Sequence, residues 1–148
     1  MTDPIRLLLA DDQQMVRAGF RLVLDAQPDM SVVGEANDGA EALQLVDELA
    51  PDVVLMDIRM PVLDGLGATE KIMTSHPEAK ILVLTTFDLD EYVHSALRAG
   101  ASGFMLKDAG PTELLAAIRA VRDGDSVVAP SATRRLIERF IPLSLIHI

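Results

Sequence analysis

The chain has 148 residues, a formal net charge of −10 at pH 7, no cysteine and no tryptophan. One domain with a sizeable core is expected at this length, and 49% apolar against 24% charged residues exclude an acidic disordered tail. The lack of cysteine excludes disulfide frameworks, thiolate zinc sites and cysteine nucleophiles. Since the negative charge repels phosphate backbones and anionic membranes, these residues do not predict binding to nucleic acid or to a membrane.

Five short apolar runs alternate with longer segments of helical period. The first run, Ile5 to Ala10, is short and is interrupted by Arg6, so it is neither a signal-peptide core nor a membrane span. It is interpreted as a buried strand. Most of the runs are rich in Val, Ile and Leu, as strands buried on both faces of a parallel sheet are. The predicted strands are Ile5–Ala10, Ser31–Ala36, Asp52–Asp57, Lys80–Thr86 and Ser102–Lys107.

The segments between the runs carry apolar residues at helical spacing, and a proline or glycine follows each of them. The predicted helices are Gln14–Ala26, Gly39–Ala50, Gly65–Ser75, Asp90–Ala99 and Pro111–Asp123. In the first helix, one face is predicted to be buried through Met15, Val16, Phe20, Val23 and Leu24. Strand–helix–strand crossovers of this kind predict an α/β fold, a doubly wound five-stranded parallel sheet with helices on both faces. Residues 127–130 are expected to form a short extension after the last helix.

Polar residues lie at the carboxyl ends of four predicted strands, the edge at which open parallel sheets bind ligands. In chain order they are Asp11, Asp12, Asp57, Thr85 and Lys107. The second strand, which ends near Glu35 to Asn37, supplies no obvious contributor. If the first and third strands are neighbours, three carboxylates converge, and such a cluster either raises pKa values or binds a divalent cation. Carboxylates without His or Cys at ligand spacing favour Mg²⁺ over Zn²⁺.

Magnesium points to phosphate chemistry, in which a central carboxylate accepts a phosphoryl group while a lysine and a hydroxyl bind its oxygens. Asp57, Lys107 and Thr85 fit these three roles. Each residue also has a structural interpretation: the paired aspartates as helix caps, Asp57 as a residue of an ordinary turn, Lys107 as a solvated cation and Thr85 as a strand former. Their joint placement at one sheet edge favours the functional interpretation.

Four blocks of the sequence, in this order and spacing, resemble the receiver domain of bacterial two-component response regulators. They are Asp11-Asp12, residues 57–65 (DIRMPVLDG), Thr85 and residues 100–107 (GASGFMLK). The resemblance implies that residues 3–124 form a receiver domain with the flavodoxin-like strand order 2-1-3-4-5. It also implies that a sensor histidine kinase transfers a phosphoryl group to Asp57.

The resemblance further implies a role for each site residue. Mg²⁺ would be bound by Asp12, Asp57 and the backbone carbonyl of Arg59, with Asp11 reaching the ion through water. Lys107 and Thr85 would bind the phosphoryl group. Thr85 and Phe104 would form a switch that changes the surface of the fourth helix, fifth strand and fifth helix.

Three further segments resemble the subfamily whose receivers precede a LuxR-type helix-turn-helix domain: Lys107-Asp108, residues 85–93 (TTFDLDEYV) and residues 131–140 (SATRRLIERF). This implies a cytoplasmic bacterial transcription regulator that homodimerises when phosphorylated and binds DNA only through a domain missing from this chain. Residues 125–140 are expected to begin the interdomain linker, with a helical pattern from residue 131. Residues 141–148 (IPLSLIHI) are interpreted as a truncation scar or non-native tail.

Two alternative functions stay open. A Mg²⁺-dependent phosphohydrolase would also form an aspartyl phosphate, but such enzymes usually carry a second acid two residues after the nucleophile, where this chain has Arg59. A phosphorylation-independent dimerisation module would need neither Mg²⁺ nor phosphate. The receiver interpretation predicts self-phosphorylation and autodephosphorylation only, without turnover of an external substrate.

Overall fold

Strands and helices alternate along the chain in the computed structural model, which describes residues 3–85, 95–124 and 127–128. Residues 95–98 are helical and are numbered α4. The other elements are β1 (Ile5–Ala10), α1 (Gln14–Asp25), β2 (Met30–Ala36), α2 (Gly39–Leu49), β3 (Val53–Asp57), α3 (Gly65–Ser75), β4 (Ile81–Thr85), β5 (Gly103–Leu106), α5 (Pro111–Arg122) and β6 (Val127–Val128).

The predicted elements are confirmed, and their ends differ from the prediction by at most one residue wherever both are described. Helix α2 ends early because Ala50 adopts a left-handed conformation with φ 46° directly before Pro51. The start of the helix predicted over Asp90–Ala99 lies outside the described residues, as do residues 129–148 with the predicted tail.

The strands form one parallel sheet in the order β2-β1-β3-β4-β5-β6. The predicted order 2-1-3-4-5 is confirmed, and β6 extends the sheet by a sixth strand, with Val127 opposite Gly103 and Val128 opposite Phe104. The order reverses between β1 and β3, so the carboxyl ends of these two strands lie side by side. Every residue of β3 and β4 is buried, as both faces of a doubly wound sheet require.

The predicted buried face of α1 is wrong at Met15, which is 88% exposed. At about 100° per residue, Met15 and Leu24 lie on opposite sides of a helix. The stripe that faces the sheet contains Arg17, Phe20 and Leu24 instead, and Arg17 is 7% exposed. None of the helices in the described ranges is long and apolar enough to cross a membrane.

Candidate functional site

Three aspartates meet where β1 and β3 end. Each of Asp11, Asp12 and Asp57 offers a carboxylate oxygen, and these oxygens lie within 4.8 Å of one another. Asp11 and Asp57 are 3% and 6% exposed, whereas Asp12 is open to solvent. The predicted convergence of the three carboxylates is therefore confirmed.

The segment after Asp57 is shaped by a close approach of α3 to the end of β3. A Cβ atom on Gly65 would lie 1.9 Å from the Asp57 carbonyl oxygen, so only glycine fits at this position. The Gly65 N–H donates to the Ile58 carbonyl at 2.8 Å. Asp64 caps α3 by accepting from the Gly67 N–H at 2.7 Å. These contacts hold Asp57 at the base of the crevice.

The loop between β3 and α3 contains a strained residue. Val62 has φ 69°, a left-handed conformation that a β-branched side chain rarely adopts, and it is 85% exposed. The neighbouring Leu63 carbonyl accepts from the Gly39 N–H at 2.9 Å, which ties the loop to the start of α2. The surrounding contacts thus hold the loop in a conformation that its own sequence disfavours.

Lys107 follows β5 and connects its end to the aspartates. The Lys107 N–H donates to the Thr85 carbonyl at 2.7 Å. Its Nζ lies 2.7 Å from Asp11 Oδ2 and 3.2 Å from Asp57 Oδ1. One ammonium group therefore contacts two of the three carboxylates and leaves the site with an excess of negative charge.

Burial raises the pKa of Asp57 from 3.8 to about 6, and repulsion by Asp11 acts in the same direction. Attraction and hydrogen bonding by Lys107, together with the backbone N–H of Arg59, oppose this shift. Burial alone would lower the pKa of Lys107, but the hydrogen bond with Asp11 and the attraction of Asp57 and Asp11 outweigh it, so the net shift is upward. At neutral pH the site therefore holds a charged lysine and a carboxylate that is largely ionised.

The helix-cap interpretation of the paired aspartates is wrong. Helix α1 has Gln13 as its N-cap, without a side-chain cap. The Gln13 N–H instead donates to Asp11 Oδ1 at 2.8 Å, a turn that orients the carboxylate before the helix begins. The other Asp11 oxygen remains directed toward Lys107.

A cavity of about 170 Å³ brings most of the predicted site residues together. Its lining residues are Asp12, Gln13, Asp57, Arg59, Thr85 and Lys107. Thr85 is buried at the end of β4, and Arg59 is exposed. Phe104 is not one of these lining residues and is fully buried on β5, where it lies opposite Val83.

Sequence reasoning missed the contribution of Arg17. Its Nε donates to Glu35 Oε1 on β2 at 3.1 Å, and its Nη1 donates to the backbone carbonyl of Asp11. The second strand, for which the sequence offered no obvious contributor, is thus connected to the Asp11 backbone through Glu35 and Arg17. The sequence did contain a signal for this contact. Arg17 lies on the same helical stripe as Phe20 and Leu24, where burial of an unpaired charge would be costly.

The donor set fits a small, hard divalent cation. Two buried carboxylates and one exposed carboxylate present oxygen ligands, and the exposed side of the cluster leaves room for water. Mg²⁺ is bound in proteins by one or two carboxylates and retains several waters. Asp57 is a disfavoured anion in this buried position, which an added cation would stabilise.

The model of the response regulator receiver domain matches residues 7–119, and the chain belongs to this family. It is 48% identical over 135 residues to the uncharacterized transcriptional regulatory protein YxjL of Bacillus subtilis, covering 91% of this chain and 62% of that protein. It is also 48% identical over 138 residues to the oxygen regulatory protein NreC of Staphylococcus aureus, covering 93% of this chain and 64% of that protein. The chain therefore spans less than two thirds of these relatives.

A solved structure shows the same fold over nearly the whole chain. The crystal structure of a LuxR-family two-component response regulator from Aurantimonas sp. SI85-9A1 matches with a TM-score of 0.89 and 34% identity. The match covers 94% of this chain and 99% of that one. The flavodoxin-like receiver fold is thus established by both the strand order and this likeness.

Proposed function

We propose that the chain accepts a phosphoryl group from a sensor histidine kinase on Asp57 and thereby regulates transcription. The observation that carries the proposal is the small cavity in which Asp57 lies beside Lys107 and Thr85. A nucleophilic carboxylate, a cation and a hydroxyl are the groups that phosphoryl transfer to a protein side chain needs.

In the proposed transfer, an Asp57 oxygen forms a bond to phosphorus as the bond from phosphorus to the kinase histidine nitrogen breaks. The histidine retains the electron pair of that bond. Lys107 binds the phosphoryl oxygens, for which its position 3.2 Å from Asp57 is suitable. The three aspartates and the backbone carbonyl of Arg59 would hold Mg²⁺, which supplies charge neutralisation for the transferring group when bound.

Thr85 and Phe104 form the proposed switch. Thr85 ends β4, and Phe104 lies on the adjacent β5, opposite Val83. In the proposed switch, movement of the Thr85 hydroxyl toward the phosphoryl group would vacate space for the Phe104 ring. Rotation of Phe104 then changes the surface formed by α4, β5 and α5, which shifts the population between two states. If Phe104→Ala leaves phosphorylation-dependent association unchanged, this switch does not operate.

The proposed output lies outside this chain. A LuxR-type domain would bind DNA, and homodimerisation on phosphorylation would bring two such domains together. The support is the name of YxjL as a transcriptional regulatory protein, of which this chain covers 62%, and the LuxR-family likeness.

The cytoplasmic location stays a prediction. The chain would catalyse only its own phosphorylation and dephosphorylation.

Treatment with a small phosphodonor and Mg²⁺, followed by mass spectrometry of peptides, tests the proposal. We expect the label on Asp57, none in Asp57→Asn, and normal labelling in Asp52→Asn. Asp52 is a matched control because it is an exposed aspartate just before β3 begins, where it accepts from the Arg6 N–H at 2.8 Å. Equal labelling of Asp57→Asn would contradict the proposal.

Two other results would favour the alternatives. Multiple-turnover release of phosphate from an exogenous ester would identify a phosphohydrolase. An absence of Mg²⁺ affinity, together with no response to a phosphoryl mimic, would identify a dimerisation module that does not use phosphate.

A further inference from the structure

Arg17 is a buried cation close to the aspartate cluster, with acceptors on two different segments. Its side chain is 8% exposed. It donates to the carboxylate of Glu35 on β2 and to the backbone carbonyl of Asp11, which directly follows β1. We propose that Arg17 is a positioning residue of the metal site, which holds the Asp11 backbone so that its carboxylate faces the cation. This inference rests on the proposed Mg²⁺ site.

The pairing with Glu35 does not by itself explain a buried arginine. Arg21, one turn further along α1, already binds Glu35 through its Nη1 at 2.6 Å while about half exposed. Burial of a guanidinium is costly unless its charge is paired and its N–H groups find acceptors. What distinguishes Arg17 from Arg21 is the hydrogen bond to the Asp11 carbonyl, and this contact lies next to the site.

Asp11 is held on every polar group that it carries. Its N–H donates to the Ala36 carbonyl at 3.1 Å, and its Oδ1 accepts from the Gln13 N–H. Its Oδ2 lies 2.7 Å from Lys107 Nζ. Its carbonyl accepts from Nη1 of Arg17. The Arg17 side chain lies on α1 and is also held by its hydrogen bond to Glu35. Loss of Arg17 would free the Asp11 peptide and misplace the carboxylate.

Residues that orient metal ligands without touching the metal typically change metal affinity by about 10- to 100-fold when they are replaced. We expect Arg17→Gln to weaken Mg²⁺ binding at least about tenfold. Arg21→Gln is the matched control, because it removes a guanidinium from the same carboxylate without touching Asp11. For this control we expect Mg²⁺ affinity within about twofold of the wild type.

Calorimetric titration with Mg²⁺ alone, on protein shown to be folded by circular dichroism, measures these affinities. The amide resonance of Gln13 gives an independent readout, since its N–H donates to Asp11 Oδ1. We expect this resonance to shift in metal-free Arg17→Gln and to stay in place in Arg21→Gln. A loss of structure elsewhere in α1 would not shift the Gln13 amide resonance specifically.

The outcomes separate the inference from the proposed function. If the wild type binds no Mg²⁺, the proposed function itself fails. If the wild type and both variants bind Mg²⁺ equally, the role of Arg17 is refuted and the receiver function stands. If Arg17→Gln does not fold, Arg17→Lys decides: lysine keeps the charge but not the planar fork, and we expect at least about threefold weaker binding. Wild-type affinity in Arg17→Lys would refute the inference.

Discussion

Two aspartates at opposite ends of the sheet each contact a basic side chain, yet their pKa values shift in opposite directions. Asp29, at the amino end of β2, forms a two-point ion pair with Arg119 on α5, with distances of 2.8 and 3.0 Å. The hydrogen bond from Arg119 lowers the pKa of Asp29 below its usual value. Asp57, at the carboxyl end of β3, has its pKa raised to about 6 by burial despite contact with Lys107.

The difference shows which end of the sheet is suited to chemistry. The Asp29 side chain is 39% exposed, so water and Arg119 satisfy its charge together. At the carboxyl end, two buried carboxylates share one lysine. A cavity of about 350 Å³ at the amino end, lined in part by His76, Asp52 and Lys80, exceeds the cavity of about 170 Å³ around Asp57. Two buried carboxylates that share one lysine, and not cavity size, therefore distinguish the candidate site.

The largest expected effect is stabilisation by Mg²⁺. Ligand binding to the folded state alone stabilises it by about 2.7 kcal/mol at 100 times the dissociation constant. We expect saturating Mg²⁺ to raise the melting temperature of the wild type and of Asp29→Asn, and EDTA to reverse the rise. Asp57→Asn should respond much less. An equal response of Asp57→Asn in a thermal melt would remove the distinction between the two ends.

The next effect concerns stability without metal. Because the folded-state pKa of Asp57 is raised, its contribution to stability is fully present below its usual pKa of 3.8 and is lost as pH rises through about 6. At pH 7 and in EDTA we expect Asp57→Asn to be more stable than the wild type by about 1–2 kcal/mol.

Urea unfolding from pH 4 to pH 7 measures this difference. The excess stability of Asp57→Asn should grow across that range and level off above about pH 6. A constant difference over the whole range would show that the Asp57 carboxyl is not desolvated. Mg²⁺ affinity of the wild type should weaken below about pH 6, because a protonated carboxyl cannot bind the cation.

Asp29→Asn should have a smaller effect of the opposite sign. Since the pKa of Asp29 is lowered, its contribution to stability is present above its usual pKa of 3.8 and is lost as pH falls through the lowered value. We expect a loss of about 0.5–1 kcal/mol at pH 7, as for an exposed ion pair. The loss should shrink in 1 M salt, and urea unfolding at two salt concentrations checks this.

An effect of similar size tests the strained loop at the carboxyl end. Val62→Gly should raise stability by about 0.5–1 kcal/mol, because glycine adopts a left-handed conformation without strain and Val62 packs against little. Leu22→Gly is the matched control, an exposed apolar residue in a regular helix that should be destabilised by about 1 kcal/mol. Destabilisation of both variants would show that Val62 is not strained.

Much of the fold could be predicted from local patterns. Each apolar run and each helical segment is contiguous in the sequence. Three helices end next to Pro51, Pro77 and Gly100, and these end signals do not depend on the rest of the chain. The prediction for Met15 was wrong because Met15 lies opposite Leu24 on the helix, and the sheet buries the side that carries Leu24. The pairing of β6 with β5 could not be predicted, since two residues carry almost no periodic signal.

The sequence by itself determined the alternation of strands and helices and the residue types at the strand ends, because both follow from short-range spacing and chain order. The resemblance to receivers, now confirmed as family membership, added the strand order. Only the tertiary structure decided that Lys107 contacts Asp11 and Asp57, that burial raises the pKa of Asp57, and that Arg17 binds the Asp11 carbonyl. Desolvation and pairing depend on atoms from distant segments, and no local pattern contains their distances.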